Sequence, residues 1–241
     1  MSKVFASDAI QRTAHEALQI AAGNGFMKEF PYEQVVRDSR ILTIFEGTNE
    51  ILRLYVALSG MKDVGSSLKE LRAAIGDIFN NPIKGFGVLG GYTQRRWSQA
   101  TGMGADKIIR ELSPKLRKAA AVYEEYVVEL ARVSDLLLRK HGKGIADAQY
   151  QQKRVADIAI DMFVGLCTLS RADALVKAQD PHAAQAESIA LMFTKQARRR
   201  MARNVRGVEK NEDGEFDALA GFALERGAYP AADRRGAVGR V

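Results

Sequence analysis

Apolar residues fall at helical spacing along most of the chain. Val4, Phe5, Ala9, Ile10, Ala14, Ala17, Leu18 and Ala21 recur every three or four positions and predict a helix from residue 3 to about 21. Gly23-Asn24-Gly25 is expected to end it, since these residues tolerate the positive φ of a helix C-terminus. A second helix is expected from Pro31, an acceptable first helical residue, to Arg40. A third follows from Glu50 to about Met61, with Thr48 or Asn49 as its N-cap and Ile51, Leu54, Tyr55 and Leu58 on one face.

Beyond residue 61 the pattern changes. Leu68, Leu71, Ile75, Ile78 and Phe79 share one side of a short helix. Asn80-Asn81-Pro82 then opens a glycine-rich run that ends in Arg95-Arg96-Trp97. Three long helices are expected after that. The first begins at Asp106 or Pro114 and ends at His141 before Gly142. The second runs from about Asp147 to Gln179, and the third from about His182 to Val208. In the second, Val155, Ile158, Ala159, Met162, Phe163, Leu166 and Leu169 form the apolar stripe. Antiparallel packing into a bundle buries such stripes economically. No alternating strand pattern occurs, so the expected fold class is all-α. The expected organisation is 1–61, a connecting segment 62–105, a helical bundle 106–230 and a loose tail 231–241.

Composition agrees with a globular helical protein: 46% of the 241 residues are hydrophobic and 27% are charged. The one cysteine, Cys167, excludes an internal disulfide and fits a reducing compartment; its apolar neighbours predict a buried, inert thiol. His15, His141 and His182 lack metal-ligand spacing. The formal charge of +7 suits an anionic partner, but no nucleic-acid motif accompanies it. The run Lys195, Arg198, Arg199, Arg200, Arg203 and Arg206 reads as a solvated helix face.

The chemistry concentrates in Ile44-Phe45-Glu46-Gly47-Thr48-Asn49-Glu50. A carboxylate just ahead of a helix start is stabilised by the helix dipole, so Glu46 reads as a capping charge. The other reading is a general base, if Ile44 and Phe45 wall an apolar pocket around it and Gly47 lets a ligand approach the backbone. Local spacing leaves both readings open.

Three motifs in order, Gln19-Ile-Ala-Ala-Gly-Asn-Gly-Phe-Met-Lys-Glu29, Val36-Arg-Asp-Ser-Arg40 and Ile44-Phe-Glu-Gly-Thr-Asn-Glu-Ile-Leu-Arg53, resemble the last part of the acyl-CoA dehydrogenase catalytic region. The sequence is most similar to the very-long-chain branch, which carries an additional C-terminal helical domain. The resemblance implies the end of the catalytic C-terminal bundle over 1–61, and that additional domain beyond. It implies an FAD-dependent α,β-dehydrogenation of a long-chain fatty acyl-CoA. In it Glu46 takes the α-proton, and the thioester carbonyl is polarised by the Glu46 N–H and a flavin ribityl hydroxyl. Phe45 and Gly47 would line the thioester site. Gln19, Ile20, Ala21, Ala22 and Gly23 would touch the adenine-diphosphate half of FAD, usually on a neighbouring subunit, and Thr48, Asn49 and Glu50 would approach FAD at the helix start. Ala22 departs from the family pattern, in which glycine is commoner. Arg37, Asp38 and Arg40 are assigned to structure.

The implied partners are fatty acyl-CoA, electron-transfer flavoprotein, a second copy of the chain or an upstream polypeptide, and no nucleic acid. Family members carry flavin-cradling domains ahead of these motifs, so the isolated chain is expected to be a C-terminal portion, incomplete as an enzyme. An exposed apolar patch is expected on 1–61. Segment 66–97 combines Leu71, Ile75, Ile78, Phe79, Ile83, Phe86 and Leu89 with Lys69, Arg72, Lys84, Arg95 and Arg96, which suits a membrane surface. The expected location is cytoplasmic, or the mitochondrial matrix in a eukaryote, peripheral at the inner face of a membrane. The alternative is a non-catalytic helical module for dimerisation or membrane association.

Overall fold

The computed structural model describes residues 1–61 and 112–227, and every regular element among them is a helix. Helix α1 spans Ser2–Ile20, a single turn α2 spans Gly23–Phe26, and α3 spans Tyr32–Arg40, followed by a 3-10 turn at Ile41–Thr43. The described part of α4 is 49–61. Helices α5 (Pro114–His141), α6 (Gln149–Lys177), α7 (Ala183–Glu209) and α8 (Asp213–Arg226) complete the order, with a 3-10 turn at Gly142–Ala146 between α5 and α6. The connecting segment, the proposed membrane face and the tail lie outside the described residues.

Three of these helices make the bundle. Lys115 reaches Glu187, Tyr123 reaches Thr194 and Tyr126 reaches the carbonyl of Arg198, a nearly constant offset that makes α5 and α7 parallel. Helix α6 runs against both: the Ser113 N–H at the start of α5 donates to Asp173 near the end of α6, and Arg200 of α7 pairs with Asp161 of α6. The core is built on Leu116, Tyr123, Ile158, Met162, Leu169 and Met201. Gly165 of α6 faces the Tyr123 ring of α5. A Cβ there would lie 2.0 Å from the Tyr123 hydroxyl, so only glycine makes room for that ring. Burial pushes the Tyr123 hydroxyl pKa up, although its bond to Thr194 pulls the other way.

Helix ends follow ordinary chemistry. Pro114 opens α5 as its first residue, and Gly142 closes it at φ +54. Pro31 stands one place outside α3, where its carbonyl accepts the Val35 N–H. The end of α1 departs from expectation. The positive φ falls on Ala22 (φ 51, ψ −129), not on a glycine. Gly25 is needed for a different reason: its Cβ would sit 2.2 Å from the Leu18 carbonyl oxygen, so the turn packs directly on the α1 backbone.

Two further expectations are corrected, the buried Cys167 thiol and the solvated Arg200. Helix α4 turns its apolar stripe outward, in keeping with the exposed patch expected on 1–61: Ile51, Tyr55 and Leu58 are exposed, and Asn49, Arg53, Ala57 and Met61 face inward. Ala57 and Met61 enter an apolar cluster with Val133, Leu137 and Val155 of the bundle. Cys167 is exposed, because α6 is apolar on more than one face and Phe163, Leu166 and Cys167 point outward. Arg200 is not a solvated charge: it pairs with Asp161 and lies over the Phe193 ring at 5.4 Å. Helix α8 was not foreseen. It buries no residue and is held by the Arg154–Asp213 pair.

Candidate active site

Glu46 sits in the loop between the 3-10 turn and α4. Its φ is +58, and Gly47 follows at φ +88. Two successive left-handed residues reverse the chain sharply into the helix. Glycine does this at no cost; a glutamate needs its surroundings to hold it there. The holding group is Lys3, at the start of α1. Its ammonium donates to the Gly47 carbonyl at 2.9 Å and to Asn49 Oδ1 at 2.9 Å.

Thr48 is the N-cap of α4. Its carbonyl accepts the Leu52 N–H at 2.9 Å, and its hydroxyl faces the Ile51 N–H at 3.4 Å. The Asn49 and Glu50 amides lie in the first helical turn, where no intrahelical acceptor exists, and Glu50 is exposed. These amides suit a polar or anionic ligand oxygen. Asn49 itself is 2% exposed, and its side chain turns back to α1. It donates to Ser7 Oγ at 2.8 Å and to Asp8 Oδ1 at 2.7 Å. Its side chain therefore holds α4 against α1.

The expected apolar pocket around Glu46 is not closed. Ile44 and Phe45 are each 46% exposed, and Glu46 and Gly47 are exposed as well. A cleft of about 520 Å³ opens where α1 and α4 meet the bundle, with Asp8, Arg53, Asp161 and Arg200 in its wall, but none of residues 44–48 lines it. The second group of expected cofactor residues lies elsewhere. Gln19 and Ile20 end α1, Ala21 and Ala22 form the following turn, Gly23 opens α2, and all but Ala21 are exposed. Lys3 and Gln19 are separated along α1 by about 24 Å at the helical rise. One chain therefore does not bring the two groups together.

Arg53 is the residue that sequence reasoning passed over. Its Nε donates to Asp157 Oδ1 at 2.7 Å, its Nη2 to Asp8 Oδ2 at 2.6 Å and its Nη1 to the Asn49 carbonyl at 3.3 Å. Burial alone would lower its pKa; the bonds to Asp157 and Asp8 outweigh that and hold it above the ordinary value. The available signal was the stripe Asn49, Arg53, Ala57 and Met61, four residues apart, in which a guanidinium shares a face with small and apolar residues. The arginines assigned to structure behave so: Arg37 lies beside Glu33 and Asp38, and Arg40 donates to Thr43.

Two family models match separate parts of the sequence. "Acyl-CoA dehydrogenase, C-terminal domain" matches residues 1–61, and "ACAD9/ACADV, C-terminal domain" matches residues 114–225. The chain belongs to the acyl-CoA dehydrogenase family. Among its relatives, the mitochondrial very long-chain specific acyl-CoA dehydrogenase of Rattus norvegicus is 34% identical over 88% of this chain and 32% of its own length. The Homo sapiens protein of the same name is 39% identical over 71% of this chain and 26% of its own. A crystal structure of an acyl-CoA dehydrogenase complexed with FAD, from Bacillus anthracis, superposes with a TM-score of 0.65 at 25% identity. It covers 92% of this chain and 35% of that one. The chain thus spans about a third of the length of these relatives.

Proposed function

We propose that this chain provides the C-terminal part of an FAD-dependent acyl-CoA dehydrogenase acting on long-chain fatty acyl-CoA, with Glu46 as the base that removes the α-proton. The observation that carries the reading is the conformation of Glu46. A non-glycine residue at φ +58, pinned through Gly47 by Lys3, sits at a helix start whose first amides are open. Strain of this kind gathers at sites where a side chain must be aimed.

The chain's own residues supply three things. Glu46 accepts a proton from the carbon next to the thioester. The Glu46 N–H donates to the thioester oxygen, where negative charge grows as the proton leaves. Phe45 and Gly47 flank the thioester, and Thr48, Asn49 and Glu50 present the start of α4 to the cofactor. Held by these residues, FAD would supply the acceptor for the β-hydrogen, which leaves its carbon as hydride. The separation of Gln19–Gly23 from Thr48–Glu50 favours a homo-oligomer in which each flavin touches two copies. Electron-transfer flavoprotein is the proposed acceptor of the electrons. Membrane contact through 66–97 belongs to the same reading, and among the described residues no helix is long and apolar enough to cross a membrane.

The test is a visible spectrum after incubation with FAD and desalting, alone and with a polypeptide carrying the flavin-cradling domains. Flavin that stays bound and bleaches with a long-chain acyl-CoA is expected in at least one condition. Glu46→Gln should keep the flavin and lose bleaching rate by about 100-fold or more, the usual worth of a positioned base. Colourless protein in both conditions would overturn the proposal in favour of a helical association module. The exposed side chains of Ile20, Phe26 and Tyr55 are the observation that supports that second reading.

A further inference from the structure

We infer that the C-terminal bundle positions the Glu46 loop through a continuous chain of hydrogen bonds that begins at Asp157 on α6. The inference rests on the reading of Glu46 given above, and it assigns Asp157, Arg53, Asp8, Asn49 and Lys3 as positioning residues. Their side chains need touch no ligand; only the backbone amide of Asn49 is offered to one.

The chain has no gap. Asp157 Oδ1 accepts from Arg53 Nε at 2.7 Å, and Asp8 Oδ2 accepts from Arg53 Nη2 at 2.6 Å. The other oxygen of Asp8 accepts from Asn49 Nδ2 at 2.7 Å. Asn49 Oδ1 accepts from Lys3 Nζ at 2.9 Å, and the same ammonium donates to the Gly47 carbonyl at 2.9 Å. All but the last link lie partly out of solvent; Asn49 is 2% exposed and the Arg53 side chain 15%. Every link has an ionised partner, which shortens and strengthens it.

The loop needs such a support. Glu46 and Gly47 are both left-handed, and Glu46 has no intrinsic preference for that conformation. Lys3 is the side chain that grips the loop backbone, and Lys3 is aimed by Asn49. Asn49 is aimed by Asp8 and Ser7, and Asp8 by Arg53. Arg53 is fixed in one orientation because it has carboxylates on two sides, Asp8 from α1 and Asp157 from the bundle. With Asp157 removed, the guanidinium keeps one carboxylate and gains freedom to turn, and that freedom passes to each later link. Coupling between two regions needs an element whose arrangement both can bias, and Arg53 is that element.

Amide hydrogen exchange on the full chain tests this. Asp157→Ala is expected to speed exchange in the peptide 47–56 by about tenfold, with residues 190–201 of the bundle core unchanged. Lys153 pairs with the other oxygen of Asp157 at 3.0 Å from an exposed position, so Lys153→Ala is the matched control. It should leave 47–56 unchanged, and Asp157→Glu should restore most of the protection. Unchanged exchange at 47–56 in Asp157→Ala would overturn the inference. So would equal acceleration in Lys153→Ala, or acceleration spread evenly into 190–201. Exchange is read without cofactor, so a chain that never binds flavin sinks the proposed function while the exchange result still decides the coupling.

Discussion

Residues 1–61 and 112–227 are both helical, yet they bury different kinds of side chain. The bundle hides large apolar groups, Leu116, Tyr123, Leu137, Ile158, Leu169 and Met201, each at most 1% exposed. The first region hides small or polar ones, Val4, Ser7, Ala14, Ser39, Thr43 and Asn49, and turns Ile20, Phe26, Met27, Ile51 and Tyr55 outward. Burying apolar area supplies most of the favourable folding free energy. The bundle therefore has its own source of stability. The first region is held by directed polar contacts, by the insertion of Ala57 and Met61 into the bundle, and by Arg53. A region held this way keeps a specific geometry, which the proposed role of the Glu46 loop needs, and leaves apolar surface for another surface to cover.

The largest effect should come from the bundle side. Gly165→Ala forces a methyl against the locked Tyr123 ring and should cost about 3 kcal/mol by overpacking, read as a lower urea midpoint. Next comes the junction. Arg53→Ala strands Asp8 and Asp157 without their shared cation and should cost about 2 kcal/mol. Its thermal unfolding should split, with the first region melting before the bundle; a single transition would show that Arg53 is not what joins them. The third prediction has the opposite sign. Ala22 holds a backbone conformation natural to glycine, so Ala22→Gly should stabilise by about 1 kcal/mol, seen as a rise in midpoint.

The smallest effect is pH-dependent and belongs to the bundle. The Lys177 bond pulls the Asp173 pKa down, burial pushes it up, and the Ser113 N–H adds to the pull, leaving it below its ordinary value. A depressed carboxylate contributes stability above its unfolded pKa of about 3.9, and that contribution is lost as pH falls through the folded value. Asp173→Asn should therefore be less stable than the parent at pH 7, with the gap closing below pH 4. A gap that stays constant would remove the ionised bond from the account.

Much of this architecture is visible in local pattern. The bounds of α1, α6 and α7, and of α5 when its start is read at Pro114 rather than Asp106, agree with the apolar period and its Gly and Pro breaks to within about two residues, because helix starts and stops are short-range chemistry. Helix α8 escaped for the converse reason: Phe216, Leu219 and Phe222 have helical spacing, but the helix buries nothing and so lacks a clean inward face. Glu46 stood out through its motif, whereas its left-handed backbone and its support by Lys3, 44 residues from Gly47, have no local trace.

The sequence by itself determined the helical periods, their breaks and the order of the three motifs that mark the family. Tertiary structure alone decided which stripe of α4 faces inward, that Cys167 is exposed, and that Arg53 meets carboxylates 45 and 104 residues away. The reason is geometric. A period of 3.6 residues reveals that a helix has faces, but the neighbour that each face meets is set by how distant helices pack.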